Sequence, residues 1–144
     1  MTARSTRLQP AVEQAQRREQ DALQRLAGQQ RRTAYVQQQL DDLERYRREY
    51  SLSAGGLTVS ALLNRQQFVD RIDQAITQQK REVERQRRVT ETARVQWLQT
   101  HARERALDSV VERFRTQEQQ SEQRQEQAEM DEHTQNRRRA AGFF

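Results

Sequence analysis

Histidine and cysteine, two side chains that often serve catalysis and metal binding, are nearly absent from this chain. The only histidines are His101 and His133, too far apart in the sequence to share one helical turn, and there is no cysteine. Without cysteine, a disulfide framework, a thiolate zinc site and a cysteine nucleophile are excluded, which fits a reducing compartment. No glycine-rich phosphate-binding loop is present. The sequence therefore predicts neither an enzyme nor a protein that holds a metal ion or another cofactor.

The composition points to helices rather than to a thick core. Of the 144 residues, 33% are hydrophobic and 33% are charged, whereas globular domains are about 45–50% apolar. Gln, Arg, Glu, Ala and Leu dominate, and all five are helix formers. No apolar stretch approaches the roughly 18 residues of a membrane span, and residues 1–7 lack a hydrophobic region of the secretory type. We expect one all-α domain without direct membrane insertion.

The net charge of +5 does not by itself indicate a nucleic-acid partner. A nucleic-acid-binding protein usually concentrates its positive charge on one face or arm. Here acids and bases alternate along the chain, as at Arg81 with Glu82 and at Arg103 with Glu104. This alternation is typical of a solvated helix surface that carries ion pairs. A basic helical protein that binds nucleic acid is kept as an alternative function.

The first third of the chain has a heptad repeat. Alternate steps of four and three residues reach nine apolar residues in 13 positions, although only a third of the chain is hydrophobic. Such a 3.5-residue repeat keeps one stripe of a helix, here called the seam, against a partner helix. Ser5 or Thr6 is expected to cap this helix. Its seam positions are Leu8, Val12, Ala15, Glu19, Ala22, Leu26, Gln29, Thr33, Val36, Leu40, Leu43, Arg47 and Tyr50.

A glycine pair, Gly55 and Gly56, interrupts the repeat and predicts a bend over about residues 51–59. Thr58 or Ser60 is expected to cap a second helix. The same alternate steps then reach nine apolar residues in 14 positions, so the second helix has its own seam. Its positions are Val69, Ile72, Ile76, Gln79, Val83, Gln86, Thr90, Ala93, Trp97, Thr100, Glu104, Leu107, Val111 and Phe114.

The lengths of the two seams predict an intramolecular antiparallel coiled-coil hairpin, monomeric in solution. A first helix over about residues 8–50 would be roughly 65 Å long. If the chain reverses at the glycine pair, Leu8 meets a residue near 105–115, and the second seam ends at Phe114. A parallel homodimer gives no reason for the seam to stop there, although an oligomeric structural coiled coil is kept as an alternative. The second helix is expected over about 60–136, its polar end unpaired or frayed, and 137–144 as a frayed tail.

Near the bend, each helix has more apolar surface than one seam needs. A second stripe on each helix shares two residues with the seam, and Leu52, Leu57, Leu62 and Leu63 add apolar surface around the bend. A two-helix hairpin cannot bury both stripes, so we expect some of the aromatic side chains to face solvent and bind a partner. The alternative is that they fold over the bend as a local core. The aromatic side chains are Tyr46, Tyr50 and Phe68.

The order of motifs around the bend resembles the flagellar FliJ family of type III export proteins. The resemblance covers roughly residues 10–136. The motifs that carry it are Tyr46 to Tyr50, the glycine-containing bend, Gln66 to Phe68, Ile72, Ala75, Ile76, Gln79, Trp97 and Met130 to Glu132.

This resemblance implies a small cytoplasmic protein at the inner-membrane face of the flagellar export apparatus. It implies a stalk that enters the ring of the hexameric export ATPase, FliI, engages the export gate protein FlhA and assists in cycling export chaperones. The implied gate-binding residues are Gln39, Leu43, Tyr46, Tyr50, Phe68, Ile72, Ala75 and Gln79.

Overall fold

The computed structural model of the chain describes residues 3–52 and 55–142, which form helices and no strands. A short helix α1 (Arg4–Arg7) is followed by α2 (Gln9–Leu52) and α3 (Val59–Ala141). The two long helices pack against each other, so the predicted all-α helical hairpin is confirmed. Two compact units are distinguished: residues up to Glu19 with those from Thr100 onward, and Gln20–Gln99.

The bend has the predicted glycine and cap. Gly55 and Gly56 form a turn, and Gly56 has a φ of 81°, a backbone conformation that glycine adopts without steric cost. The Oγ1 atom of Thr58 accepts a hydrogen bond from the backbone N–H of Ala61 at 3.2 Å, so Thr58 caps α3 as expected. The part of the predicted bend at residues 53 and 54 lies outside the described residues.

Burial follows the seam that the heptad repeat predicts. None of the 27 seam positions is exposed: each is buried or half-buried, including Trp97 and Phe114. In the unit Gln20–Gln99, buried apolar side chains pack into a core cluster. The cluster comprises Val36, Leu40, Ile72, Ile76 and Val83, with Leu43 and Phe68 packed against it.

A hydrogen-bonded polar layer follows this cluster in the same unit. Gln86 is only 5% exposed, and its side chain accepts a hydrogen bond from Gln29 at 2.5 Å. The hydroxyl groups of Thr33 and Thr90 lie 2.8 Å apart, and that of Thr90 donates to the Gln86 carbonyl at 3.0 Å. These partners offset the cost of burying polar groups in a seam. The Gln86 amide also donates to Glu82 at 2.8 Å.

The start of the first helix differs from the prediction. Ala3, not Ser5 or Thr6, precedes α1, and no side chain caps it. Ser5 is 7% exposed; its backbone N–H and its hydroxyl both donate to the carboxylate of Glu118, at 3.1 and 2.7 Å. A carboxylate from α3 thus satisfies a first-turn N–H that a local cap would otherwise serve. These hydrogen bonds from Ser5 lower the pKa of Glu118.

The second helix runs to Ala141, beyond the expected end near residue 136. Arg138 and Arg139 lie in its last turn, where positive charge interacts favourably with the helix dipole. From residue 119 to 142 every side chain is exposed, in agreement with the polar sequence of this segment. Residues 143 and 144 of the expected tail lie outside the described part of the chain.

A pair of valines tests whether the seam holds the helices together. Val83 is 3% exposed, whereas Val89, on the same helix, is 43% exposed. We expect Val83→Ala to lower the free energy of unfolding by about 2 kcal/mol because it removes buried methyl groups and leaves a cavity. Val89→Ala should change it by less than about 0.5 kcal/mol. Urea unfolding followed by circular dichroism measures both, and equal losses would contradict this packing.

Candidate partner-binding surface

The eight residues expected at the gate-binding surface lie on one side of the hairpin near the bend. A residue that immediately precedes a seam position lies on one flank of its helix, and in an antiparallel pair the matching flanks of both helices adjoin. Tyr46, Gln39, Phe68 and Ala75 each precede a seam position. We call this side the aromatic flank. The other four residues, Leu43, Tyr50, Ile72 and Gln79, are seam positions beside it.

These eight residues differ in burial. Gln39 and Tyr46 are exposed, and Ile72 is a core residue with 6% of its surface exposed. A partner could therefore touch the first two directly, whereas Ile72 supports the surface from beneath. The remaining five, Leu43, Tyr50, Phe68, Ala75 and Gln79, are half-buried.

The three aromatic rings near the bend form one cluster. The ring centroids of Tyr50 and Phe68 lie 4.8 Å apart, and Tyr46 lies 6.2 Å from each of them. These distances are typical of favourable aromatic pairs. The Tyr46 side chain nevertheless stays 47% exposed. Phe68 packs against the core cluster, as the local-core alternative expects, and Tyr46 faces solvent, as the other expectation requires. That a partner binds these side chains stays a prediction.

A cation lies on the aromatic cluster. The guanidinium carbon of Arg65 is 4.6 Å from the ring centroid of Tyr50, a cation–π distance. Arg65 itself is half-buried. The Tyr50 ring thus contacts both Arg65 and Phe68, and these two contacts orient it within the cluster.

Two glutamines of the predicted set connect the helices beside the cluster. The side-chain amide of Gln79 donates to the backbone carbonyl of Val36 at 2.9 Å and to the side-chain oxygen of Gln39 at 3.2 Å. A hydrogen bond to a backbone carbonyl of the opposite helix orients Gln79. That orientation in turn positions the exposed Gln39.

An ion pair between the helices, Arg47 with Asp73, was missed by the sequence analysis. The Nε atom of Arg47 donates to Oδ1 of Asp73, and its Nη2 donates to Oδ2 at 3.3 Å. The hydrogen bond from Arg47, with its charge, lowers the pKa of Asp73 despite the opposing effect of desolvation. An arginine at a seam position was the available signal, because it needs a carboxylate from the facing helix.

A shallow groove of about 520 Å³ adjoins the exposed face of Tyr46. Four of its lining residues belong to the predicted set, and three charged residues, Asp42, Arg45 and Glu49, were not predicted. Arg45 forms an ion pair with Asp42 at 3.1 Å. The groove therefore combines an aromatic edge with amide and carboxylate groups, a composition suited to protein recognition. Its lining is Gln39, Asp42, Leu43, Arg45, Tyr46, Glu49 and Gln79.

Apolar side chains are exposed at the start of α3, as expected for the bend. Leu57, Leu62 and Leu63 are 39%, 45% and 62% exposed, and Val59 is 75% exposed. The side chain of Leu52 lies outside the described part. Within residues 3–52 and 55–142, no three acidic or histidine side chains come together in a way that could hold a metal ion. None of the helices described is long and apolar enough to cross a bilayer.

Comparison with known proteins gives one family. The family model described as "Flagellar FliJ protein" matches residues 4–142. No curated protein matches the chain, and no solved structure does.

The Arg47–Asp73 ion pair predicts a specific dependence of stability on pH. The pKa of Asp73 is lowered in the folded chain from its ordinary value of 3.8. The ion pair therefore stabilises the fold at pH values above 3.8, and this stabilisation is lost as the pH falls through the pKa of Asp73 in the folded chain. Asp73→Asn should therefore lower the free energy of unfolding at pH 7. The variant should also lose less of that free energy than the unmodified chain when the pH is lowered from 5 to 3. Urea midpoints at several pH values measure this change.

Asp70→Asn is the matched control. Asp70 accepts a hydrogen bond from Gln66 and has no ion pair in the described ranges. Asp70→Asn should leave the dependence of the urea midpoint on pH, between pH 5 and 3, closer to that of the unmodified chain than Asp73→Asn does. Identical slopes for both variants would contradict a stabilising role for the ion pair.

Proposed function

Because the chain belongs to the flagellar FliJ family, a family of flagellar export components rather than of enzymes, we propose that its aromatic flank binds the export gate protein FlhA. The observation that carries this proposal is the three-ring cluster, which is held in place from both helices and still leaves Tyr46 47% exposed. An exposed, preorganised aromatic group beside a polar groove is the usual anatomy of a protein–protein hot spot. The surface comprises Gln39, Leu43, Tyr46, Tyr50, Phe68, Ile72, Ala75 and Gln79.

The second part of the proposal concerns the hexameric export ATPase, FliI. We propose that the unit of residues up to Glu19 and from Thr100 onward enters the ATPase ring as a stalk, while the unit Gln20–Gln99 meets the gate. The exposed segment 119–142 supports this assignment, because a polar helix without tertiary packing is marginally stable in water. A partner that surrounds it would supply the missing contacts. Nucleotide chemistry then belongs to the ATPase.

The proposed location and remaining roles follow from these two contacts. A protein that binds both the ATPase and the gate works in the cytoplasm and is held at the inner-membrane face through the export apparatus. By contacting both, the chain would assist the release and reuse of export chaperones. We propose a monomeric hairpin as the active form.

The ion-pair pattern supports a protein partner rather than nucleic acid. Arg45, Arg85 and Arg94 each pair with an acid three residues earlier on the same helix, at 3.1, 2.7 and 2.8 Å. Cations engaged in this way are less available to phosphates than an unpaired basic face would be. A salt titration separates the two classes, because nucleic-acid affinity falls steeply with ionic strength.

Truncation of the aromatic cluster tests the gate contact. We expect Tyr46→Ala, Tyr50→Ala or Phe68→Ala to weaken binding to the purified cytoplasmic domain of FlhA by about tenfold or more, because each change removes part of a preorganised hot spot. Helical content by circular dichroism should stay close to that of the unmodified chain. Calorimetry or biolayer interferometry measures the affinity.

Leu23→Ala is the control for this experiment. Leu23 is 44% exposed, a fraction similar to the 47% of Tyr46. Because Leu23 follows a seam position, it lies on the opposite flank of α2. Its removal should leave gate affinity unchanged. If the aromatic variants lose helical content together with binding, their side chains serve the core and the assignment is wrong.

The two proposed contacts should be separable. Deleting residues 119–142 should reduce the effect of the chain on ATP hydrolysis by FliI and leave gate affinity within about twofold of the full chain. Tyr46→Ala should do the reverse. Steady-state hydrolysis assays and gate-binding assays on the same preparations measure both. Loss of both activities in either variant would contradict a division of labour between the two units.

A further inference from the structure

Tyr35 is an exposed aromatic residue outside the predicted surface. It lies in the middle of α2 and is 64% exposed, more than Tyr46 at 47%. An exposed tyrosine on a helix that buries only one seam is not needed for the fold. Single exposed apolar residues are common, however, so its position relative to the aromatic flank decides whether it has a role.

Tyr35 continues the aromatic flank along α2. It immediately precedes the seam position Val36, as Tyr46 precedes Arg47. Steps of four, three and four residues connect Tyr35 to Gln39, Asp42 and Tyr46, so all four lie on one stripe of the helix. The last three line the groove beside Tyr46. Tyr35 therefore lies one turn beyond the end of that groove.

The facing helix adjoins the same flank at this level. Glu82 of α3 precedes the seam position Val83. Hydrogen bonds from Arg85 and Gln86 lower the pKa of Glu82 to about 2, and the charge of Arg32 on α2 contributes to this shift. Arg32 is one turn before Tyr35. Arg32 precedes the seam position Thr33, so it lies on the same flank as Tyr35. Hydrogen bonds of Thr33 with Thr90 and of Gln29 with Gln86 pair the two helices at this level, so their matching flanks adjoin here.

The groove beside Tyr46 carries acidic groups. Asp42 is paired with Arg45, whereas Glu49, three residues beyond Tyr46 toward the bend, has no ion pair within the parts of the chain that the structure describes. Gln39 adds an amide held by Gln79. A complementary partner would place apolar side chains at the two tyrosines and a basic side chain at Glu49.

We propose that Tyr35 is the second aromatic anchor of the gate-binding surface. The surface then extends from the cluster at Tyr46 to Tyr35, 11 residues away, or roughly 16 Å along α2. Its occupant is a segment of the gate protein with two apolar contacts at that spacing and a basic side chain that meets Glu49, on the side of Tyr46 away from Tyr35. This inference rests on the proposed function, because it assigns to the gate protein a longer footprint on the same flank.

Affinity for the purified gate domain tests this inference in the full-length chain. Tyr35→Ala should weaken binding by about fivefold to tenfold, since a peripheral anchor contributes less than the central cluster. Tyr35→Phe should retain most of the affinity, because it keeps the ring. Leu23→Ala, on the opposite flank, should have no effect. Glu49→Gln should weaken binding by about twofold to threefold, with the difference disappearing at high salt.

The outcomes distinguish this inference from the proposed function. If Tyr46→Ala weakens binding and Tyr35→Ala does not, the longer footprint is wrong and the gate contact at the bend stands. If neither variant changes the affinity, the aromatic flank does not bind the gate and both proposals fail. Because Tyr35 is 64% exposed, Tyr35→Ala should leave the thermal unfolding midpoint unchanged. A lowered midpoint would show a structural role and overturn the inference.

Discussion

The structure depends on burial along a single narrow seam between two helices. Only about a third of the chain is hydrophobic, and its buried apolar residues number nine in the described ranges. No side chain among them reaches complete burial. With so little apolar area removed from water, the helices cannot tolerate many mismatches, because burial is the main favourable contribution to folding. In agreement with this constraint, each seam position is half-buried or buried. Side chains outside the seam are not needed for this burial, so their types can serve solubility or binding.

The proposed binding surface arises because the helices have more apolar surface near the bend than the seam needs. Near the bend, each helix has apolar groups on the seam and also on the flank beside it. Leu43, a seam residue beside the aromatic flank, and Phe68, a residue of that flank, both pack against the core cluster. Tyr46 is the group left over: it contacts Tyr50 and Phe68 but keeps nearly half its surface in solvent. The two helices of the hairpin leave this face of Tyr46 uncovered, and the surface of a partner protein could cover it.

The sequence predicted what depends on local periodicity and missed what depends on pairs distant in the chain. The seam, the glycine turn and the Thr58 cap follow from spacing within one helix or one turn. The aromatic flank was also predictable, because it is a second stripe at helical spacing. In contrast, Ser5 was expected to cap its own helix and instead donates to Glu118, 113 residues away. The Arg47–Asp73 pair likewise needs the register of the hairpin, which no local pattern specifies.

The need for one alignment of α2 with α3 also gives a role to the buried Gln86 among the apolar seam residues. The aromatic cluster, on which the proposed binding surface is centred, combines Tyr46 and Tyr50 of α2 with Phe68 of α3. A slip of one heptad, about 10 Å, would keep most seam residues paired yet separate these rings. An apolar seam alone discriminates weakly between such registers. The observed hydrogen bonds of Gln29 with Gln86 and of Thr33 with Thr90 are specific to this register, because a slip separates both pairs. The polar layer thus sacrifices some hydrophobic stabilisation and fixes the alignment that a surface built from two helices requires.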